Sequence, residues 1–199
     1  MPAIGITGGI ATGKTAFSQL VRELVPQALF FDADAAARHL TDNDPEARAL
    51  IAKAFGSQIY SLEGHLNRAE LRAIVFADPE KKQALEQILH PRIRRQWAAE
   101  AEVRRDSNEL FLADIPLLYE TGGEALCDRV VVVACSPRVQ LERLMARSSL
   151  DRAAAEQMIA AQMPLEAKVA RADHVIWNNG SRAILREQAE TLTTHWRQH

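Results

Sequence analysis

The sequence predicts an α/β fold in which a parallel β-sheet lies between layers of helix. Three observations predict it. Short, continuous apolar runs recur along the chain, helical patterns separate them, and the first run passes through a glycine loop straight into a helical pattern. A strand buried on both faces reads as continuously apolar rather than alternating, as parallel strands covered by helices do.

Ala3 to Thr7 (A-I-G-I-T) is the first strand, bounded by Gly8-Gly9, and Phe17, Leu20, Val21 and Leu24 then recur at helical spacing. Gln27 to Phe31 reads as a second buried strand closed by Asp32, and Leu110 to Ala113 as a third closed by Asp114. Arg129 to Ala134 (R-V-V-V-V-A) is too β-branched for a comfortable helix. His174 to Trp177 is a weaker fifth strand, and Leu185, Ala189, Leu192 and Trp196 mark a last amphipathic helix that packs on the sheet.

Residues 35–105 hold no convincing strand but several helical patterns, among them Leu71, Ile74, Val75 and then Leu85, Ile88, Leu89. This stretch reads as a helical insertion. Pro91 is expected to break or kink the second pattern, because proline lacks a backbone donor and disfavours helical geometry in His90. From Arg138 to Arg171 the chain is helical and polar, carries Arg143, Arg147, Arg152 and Arg171, and shows no strong apolar face. It reads as a mobile segment. The expected organisation is one domain over 1–199, with a core of about 1–34, 106–137 and 172–199, an insertion of about 35–105 and a lid of about 138–171.

With 199 residues, 47% hydrophobic and 25% charged, the chain has the balance of a domain that buries a sizeable core, which excludes disorder and collagen-like repeats. Its 24 basic and 26 acidic residues leave a net charge of −2, so nothing attracts a nucleic acid non-specifically. The longest apolar run, Val130 to Cys135, is far shorter than the ~20 residues that cross a bilayer, and the N-terminus offers neither leader nor lipidation motif. A cytoplasmic protein is expected, with no membrane partner. Cys127 and Cys135 lack metal-ligand spacing and a disulfide framework.

Gly8-Gly9-Ile10-Ala11-Thr12-Gly13-Lys14-Thr15 satisfies G-x-x-x-x-G-K-[ST] without mismatch, between a strand and a helix as the chemistry requires. Backbone N–H groups turn inward around a phosphate there, and the helix beginning near Lys14 aims its positive end at the same anion. Lys14 would reach the β- and γ-phosphates, and the Thr15 hydroxyl would coordinate Mg²⁺. The fold class sharpens to a three-layer P-loop NTPase with a helical substrate-domain insertion and a helical lid. A glycine-rich turn that merely joins strand and helix is the plain alternative.

The metal also needs a carboxylate. Asp114, at the end of an apolar strand, occupies the usual second position, and Asp32 is its rival. Asp32 and Asp34 flank Ala33 in F-F-D-A-D, so one could bind metal while the other holds an acceptor hydroxyl. In plainer terms, Asp34 caps the helix through His39 and Asp114 is a strand-end turn residue.

Hydrolysis and transfer share this loop. A GTPase needs an N-K-x-D segment to select guanine, and only Asn178-Asn179-Gly180 stands in a comparable late position. The arginines of 138–171 favour transfer, since a closing helical lid neutralises charge on a moving phosphoryl group and excludes water. A solvated face with i, i+4 pairs such as Glu142 with Arg138 is the alternative for any one of them.

Several segments together resemble the dephospho-CoA kinase family over nearly the whole chain. They are G-I-T-G-G-I-A-T-G-K-T from Gly5, F-D-A-D from Phe31, L-H-P-R-I-R from Leu89, D-I-P-L-L-Y-E from Asp114, Q-L-E-R-L-M-A-R from Gln140, A-A-Q-M-P-L-E-A-K from Ala160, R-A-D from Arg171 and N-N-G-S from Asn178. The resemblance implies transfer of the ATP γ-phosphate to the ribose 3′-hydroxyl of dephospho-CoA. It implies that Asp34 accepts or orients the hydroxyl proton and that Arg143 and Arg147 face the phosphates. His90, Pro91 and Leu117 match segments around the acceptor, and Asn178 lies near adenine. His90 as a satisfied histidine at a proline corner, and Leu117 with Leu118 as core, are the plain readings of the same residues. A kinase of the same architecture for another small alcohol or nucleotide, and an ATP-dependent binding or switch protein, are the competing functions.

Two residues depart from the family's pattern: Ala11 stands where glycine is usual, and Trp177 where an acidic residue often precedes the asparagine. The Ala11 methyl is expected to be tolerated provided its φ stays negative.

Overall fold

A computed structural model describes residues 3–104 and 109–198. Five strands form one sheet in the order β2-β3-β1-β4-β5. They are β1 (Ala3–Gly8), β2 (Leu29–Asp32), β3 (Phe111–Asp114), β4 (Arg129–Ala134) and β5 (His174–Trp177). β1 pairs in parallel with β3 and with β4, and β4 in parallel with β5. All five expected strands are present. The second begins two residues later than the apolar run and takes in Asp32.

The chain divides into two compact units, residues 1–31 with 101–199, and residues 32–100; the junction expected at 105–106 lies outside the described residues. In the first unit, α1 (Lys14–Leu24) buries Phe17, Leu20 and Val21. The C-terminal helix, α9 (Arg182–Gln198), adds Leu185, Ala189, Leu192 and Trp196 to the same cluster, which is completed by Ile4, Ile6, Leu112, Val131 and Val133 of the sheet. Burying each such large side chain contributes about 1.5–3 kcal/mol, so this apolar layer is the main support of the glycine loop between β1 and α1.

The polar stretch after β4 folds as α6 (Pro137–Ser148), α7 (Arg152–Ala160) and α8 (Leu165–Ala170). Leu144 and Ala155 are buried, but so are Gln140 and Lys168. The inner side is partly polar, which is why apolar periodicity does not reveal a face there.

The second unit is helical: α2 (Ala33–Asn43), α3 (Pro45–Phe55), α4 (Arg68–Ala77) and most of α5 (Pro79–Arg104). Ile51, Phe55, Ile59, Leu66 and Leu71 form its own core. Two readings are corrected here, the plain alternative for Asp34 and the expected break at Pro91. Asp32, not Asp34, caps α2, its Oδ1 accepting the Ala35 N–H at 2.9 Å while Asp34 lies in the first turn. Pro91 does not break its helix, which continues through it to Arg104. The Arg92 guanidinium donates to the Ile88 carbonyl at 2.9 Å, next to the Gln87 carbonyl that the proline nitrogen cannot serve.

Candidate functional site

The loop from Gly8 to Thr15 lies at the C-terminal end of the central strand β1, and α1 begins inside it at Lys14. Gly13 caps α1 in the left-handed region at φ 98°, offers no side-chain bond, and is followed by no acidic residue in the first turn. The Phe17 N–H to the Gly13 carbonyl, 3.1 Å, is the first helical hydrogen bond, so the N–H groups of Lys14, Thr15 and Ala16 precede it. Those donors and the positive helix end make an anion site.

Side chains hold the loop's carbonyls. Gln140 Nε2 donates to the Ile10 carbonyl at 2.9 Å, Asn178 Nδ2 to the Thr12 carbonyl at 2.9 Å, and Thr12 Oγ1 to the Gly9 carbonyl at 2.9 Å. The Ile10 N–H donates to Gln162 Oε1 at 2.8 Å. Close packing leaves no room for a β-carbon at Gly8, where it would stand 2.5 Å from the Val133 carbonyl oxygen, nor at Gly13, where it would stand 2.0 Å from Asn178 Nδ2. Ala11 adopts φ 60°. The condition for tolerating its methyl, a negative φ, is therefore not met: the methyl sits in a left-handed conformation that costs an L-residue about 1–2 kcal/mol.

Lys14 Nζ forms an ion pair with Asp114 Oδ1, and both side chains are largely shielded from solvent. Ser18 Oγ donates to Asp114 Oδ2 at 2.7 Å. Thr15 lies three residues before Ser18 on α1 and hence on the same face, one turn nearer the loop. A hydroxyl and a carboxylate are thus presented from neighbouring elements. Among the described residues no group of three or more His, Cys, Asp or Glu could hold a metal by itself. An ion on Thr15 and Asp114 would draw its other ligands from phosphate and water, the coordination that suits Mg²⁺.

Arg143 Nη1 donates to the Asn178 carbonyl at 2.9 Å and, at 3.5 Å, to that of Thr12. Burial raises the Cys135 thiol above its ordinary range, and the Arg143 charge works against that. Arg147, one turn further along α6, is exposed. Asn178 is 8% exposed and committed to the loop through Thr12. Leu118 is fully buried and Leu117 only partly.

Four expected residues belong to the second unit. Asp32 is engaged at the α2 cap, and Asp34 is exposed in the first turn. Pro91 is exposed and His90 half-buried in α5. Burial lowers the His90 pKa, with the Glu86 carboxylate opposing.

Ser18, Gln140, Gln162, Glu120 and Lys168 were not singled out from the sequence. Lys168 is fully buried, paired with Glu120 at 2.8 Å. All but Ser18 fall within the family-like segments quoted above, which was the one signal available for them.

A profile of the dephospho-CoA kinase family matches residues 2–183. A dephospho-CoA kinase of Bacillus cereus is 40% identical over 194 residues, covering 97% of this chain and 96% of its own. One of Anaeromyxobacter dehalogenans is 45% identical over 193 residues, covering 96% of this chain and 90% of its own. Among solved structures, dephospho-CoA kinase from Campylobacter jejuni superposes with a TM-score of 0.75 at 27% identity, covering 98% of this chain and 97% of the other. Shikimate kinase from Acinetobacter baumannii, with a TM-score of 0.58 at 16% identity over 98% of this chain and 93% of its own, shares the fold.

Proposed function

The chain belongs to the dephospho-CoA kinase family, and on that premise we propose that its Gly8–Thr15 loop, Lys14, Asp114, Arg143, Arg147 and Asp34 carry the transfer. The reaction is ATP-dependent phosphorylation of the ribose 3′-hydroxyl of dephospho-CoA, giving CoA and ADP in the last step of CoA biosynthesis.

One observation supports the reading most: Lys14 and Asp114, from the loop and from a neighbouring strand end, meet beside the free N–H groups of a helix N-terminus. The loop amides grip the triphosphate, and Lys14 exchanges its carboxylate for the β- and γ-phosphates. Thr15 and Asp114 are the residues that would hold Mg²⁺, which when bound offsets phosphate charge. Asp114 is preferred to Asp32 for this because it meets Lys14 and Ser18 of α1, the helix face that also carries Thr15, whereas Asp32 caps α2. Arg143 and Arg147, a turn apart on α6, neutralise charge gathering on the equatorial oxygens.

The acceptor hydroxyl oxygen bonds to the γ-phosphorus as the bond to the bridging oxygen breaks and ADP departs. Asp34 takes the hydroxyl proton; its exposed carboxylate is not the one engaged in capping α2. His90 and Pro91 of the second unit are assigned to dephospho-CoA, as is Leu117, by the family segments in which they stand. Asn178 buttresses the loop through Thr12.

Purified protein given Mg·ATP and dephospho-CoA is expected to yield a product one phosphoryl group heavier by mass spectrometry. ADP release across a panel of alcohols and nucleotides tests the choice of acceptor. Turnover of another acceptor with none of dephospho-CoA, or ATP binding without any transfer, would overturn the assignment.

A further inference from the structure

Lys168 carries a chemistry that the transfer described above does not use. Its ammonium is sealed from solvent and meets three acceptors, Glu120 Oε1 at 2.8 Å, the Pro116 carbonyl at 3.2 Å and, most weakly, the Gly8 carbonyl at 3.4 Å. Three N–H donors facing three acceptors leave nothing unpaired. A charge is taken out of water only at substantial cost, and apolar packing fills such a position more cheaply. Stability alone therefore does not account for a lysine here.

What the three acceptors have in common is their place in the chain. Gly8 opens the phosphate loop, six residues before Lys14, and Pro116 follows Asp114 by two residues. Glu120 ends the same post-β3 segment and also accepts the Met163 N–H at 3.1 Å, while the adjacent Gln162 takes the Ile10 N–H. The Pro116 carbonyl accepts from Thr7 Oγ1 at 3.0 Å as well, so the end of β1 and the segment after β3 are laced together at one carbonyl.

We infer that Lys168 is a positioning residue for phosphoryl transfer, fixing the phosphate loop against the strand end that carries Asp114 by binding the Gly8 and Pro116 carbonyls from one buried ammonium. The inference rests on the kinase reading. Lys168 touches no reacting atom; it sets the separation between the amides that cradle the phosphates and the carboxylate paired with Lys14. A displacement of about 1 Å in such an arrangement costs about 10²-fold in rate.

The test compares wild type, Lys168→Met and Lys168→Met combined with Glu120→Leu. The double variant removes both charges, so no carboxylate is left buried without its partner, and its thermal midpoint is expected near that of wild type. Both variants are expected to lose about 10–100-fold in kcat with Mg·ATP and dephospho-CoA, while KM for dephospho-CoA stays within about twofold and calorimetry still registers ATP binding. Should Lys168→Met alone fail to fold, the double variant is read in its place. Recovery of kcat together with the thermal midpoint in the double variant would reduce Lys168 to a structural charge pair and overturn the inference, as would unchanged kcat in either variant. Failure of the double variant to fold would overturn it too, by making the cluster a requirement of the fold. A wild-type protein that fails to turn over dephospho-CoA would instead defeat the kinase reading itself.

Discussion

Lys14 and Asp114 are separated by 100 residues of sequence and share an ion pair at the ends of two neighbouring parallel strands. The pair exists because the sheet order places β3 directly beside β1, so that the residue opening α1 and the last residue of β3 emerge together at the C-terminal end of the parallel strands. Ser18 completes the arrangement from α1, leaving Asp114 with a partner on each oxygen.

Removing either partner separates binding from chemistry. Lys14→Ala is expected to weaken ATP binding and to lower kcat by about 10²–10³-fold, the usual cost of losing one preorganised donor at developing charge. Asp114→Asn retains the hydrogen bond from Ser18 but loses the anion, so the Mg²⁺ concentration needed for half-maximal rate is expected to rise. Calorimetry with ATP and a Mg²⁺ titration of the rate check the two variants, and a Mg²⁺ dependence unchanged in Asp114→Asn would remove that carboxylate from the metal site.

Asp34→Asn is expected to lower kcat by about 10²–10⁴-fold, the usual contribution of a positioned general base, with KM for ATP unchanged. Because Asp32 and not Asp34 caps α2, this substitution leaves the cap in place and the thermal midpoint should not move. Unaltered kcat would take the proton-accepting role away from Asp34.

Much of this arrangement is legible in the sequence. Continuous apolar runs located the strands, since parallel strands covered on both sides have no polar face to interrupt them, and the loop motif located the anion site because its glycines are sterically required. Three things were not legible. Which carboxylate in F-F-D-A-D caps the helix depends on where β2 ends, and the strand runs one residue past the apolar run. The continuity of α5 through Pro91 is a property of the whole 26-residue helix around it, which a local rule for proline does not weigh. The inner side of 138–171 is built on Gln140 and Lys168, residues whose types ordinarily mark a solvated surface.

Ala11 gives a prediction of opposite sign to most loop substitutions. At φ 60° its β-carbon strains the backbone, and glycine relieves about 1–2 kcal/mol of that cost while giving back about 0.4–1 kcal/mol through a looser unfolded chain. Ala11→Gly is therefore expected to raise the thermal midpoint by about 1–3 °C in a protein of this size. Gly13→Ala, at φ 98° and against Asn178, should lower it and weaken ATP binding as well. Differential scanning calorimetry distinguishes the two, and a lower midpoint for Ala11→Gly would show that position to be unstrained.

Acid should destabilise the fold through histidines that it keeps neutral. His174 and His195 meet edge to face, ring centroids 5.8 Å apart, beside the sheet's last strand. Burial lowers the His174 pKa from 6.5, the His195 and Arg129 charges lower it further, and Asp173 opposes them. Burial lowers that of His90 in the same direction. The unfolded chain therefore takes up protons at a higher pH than the folded one, so the stability these residues contribute is complete above about pH 6.5 and is lost as pH falls through the folded values. Thermal midpoints are expected to fall as the pH drops below about 6.5, starting above the range in which most carboxylates titrate. Replacing both residues, His174→Asn with His90→Asn, should flatten that slope. A slope as steep in the double variant as in wild type would place the acid sensitivity elsewhere in the chain.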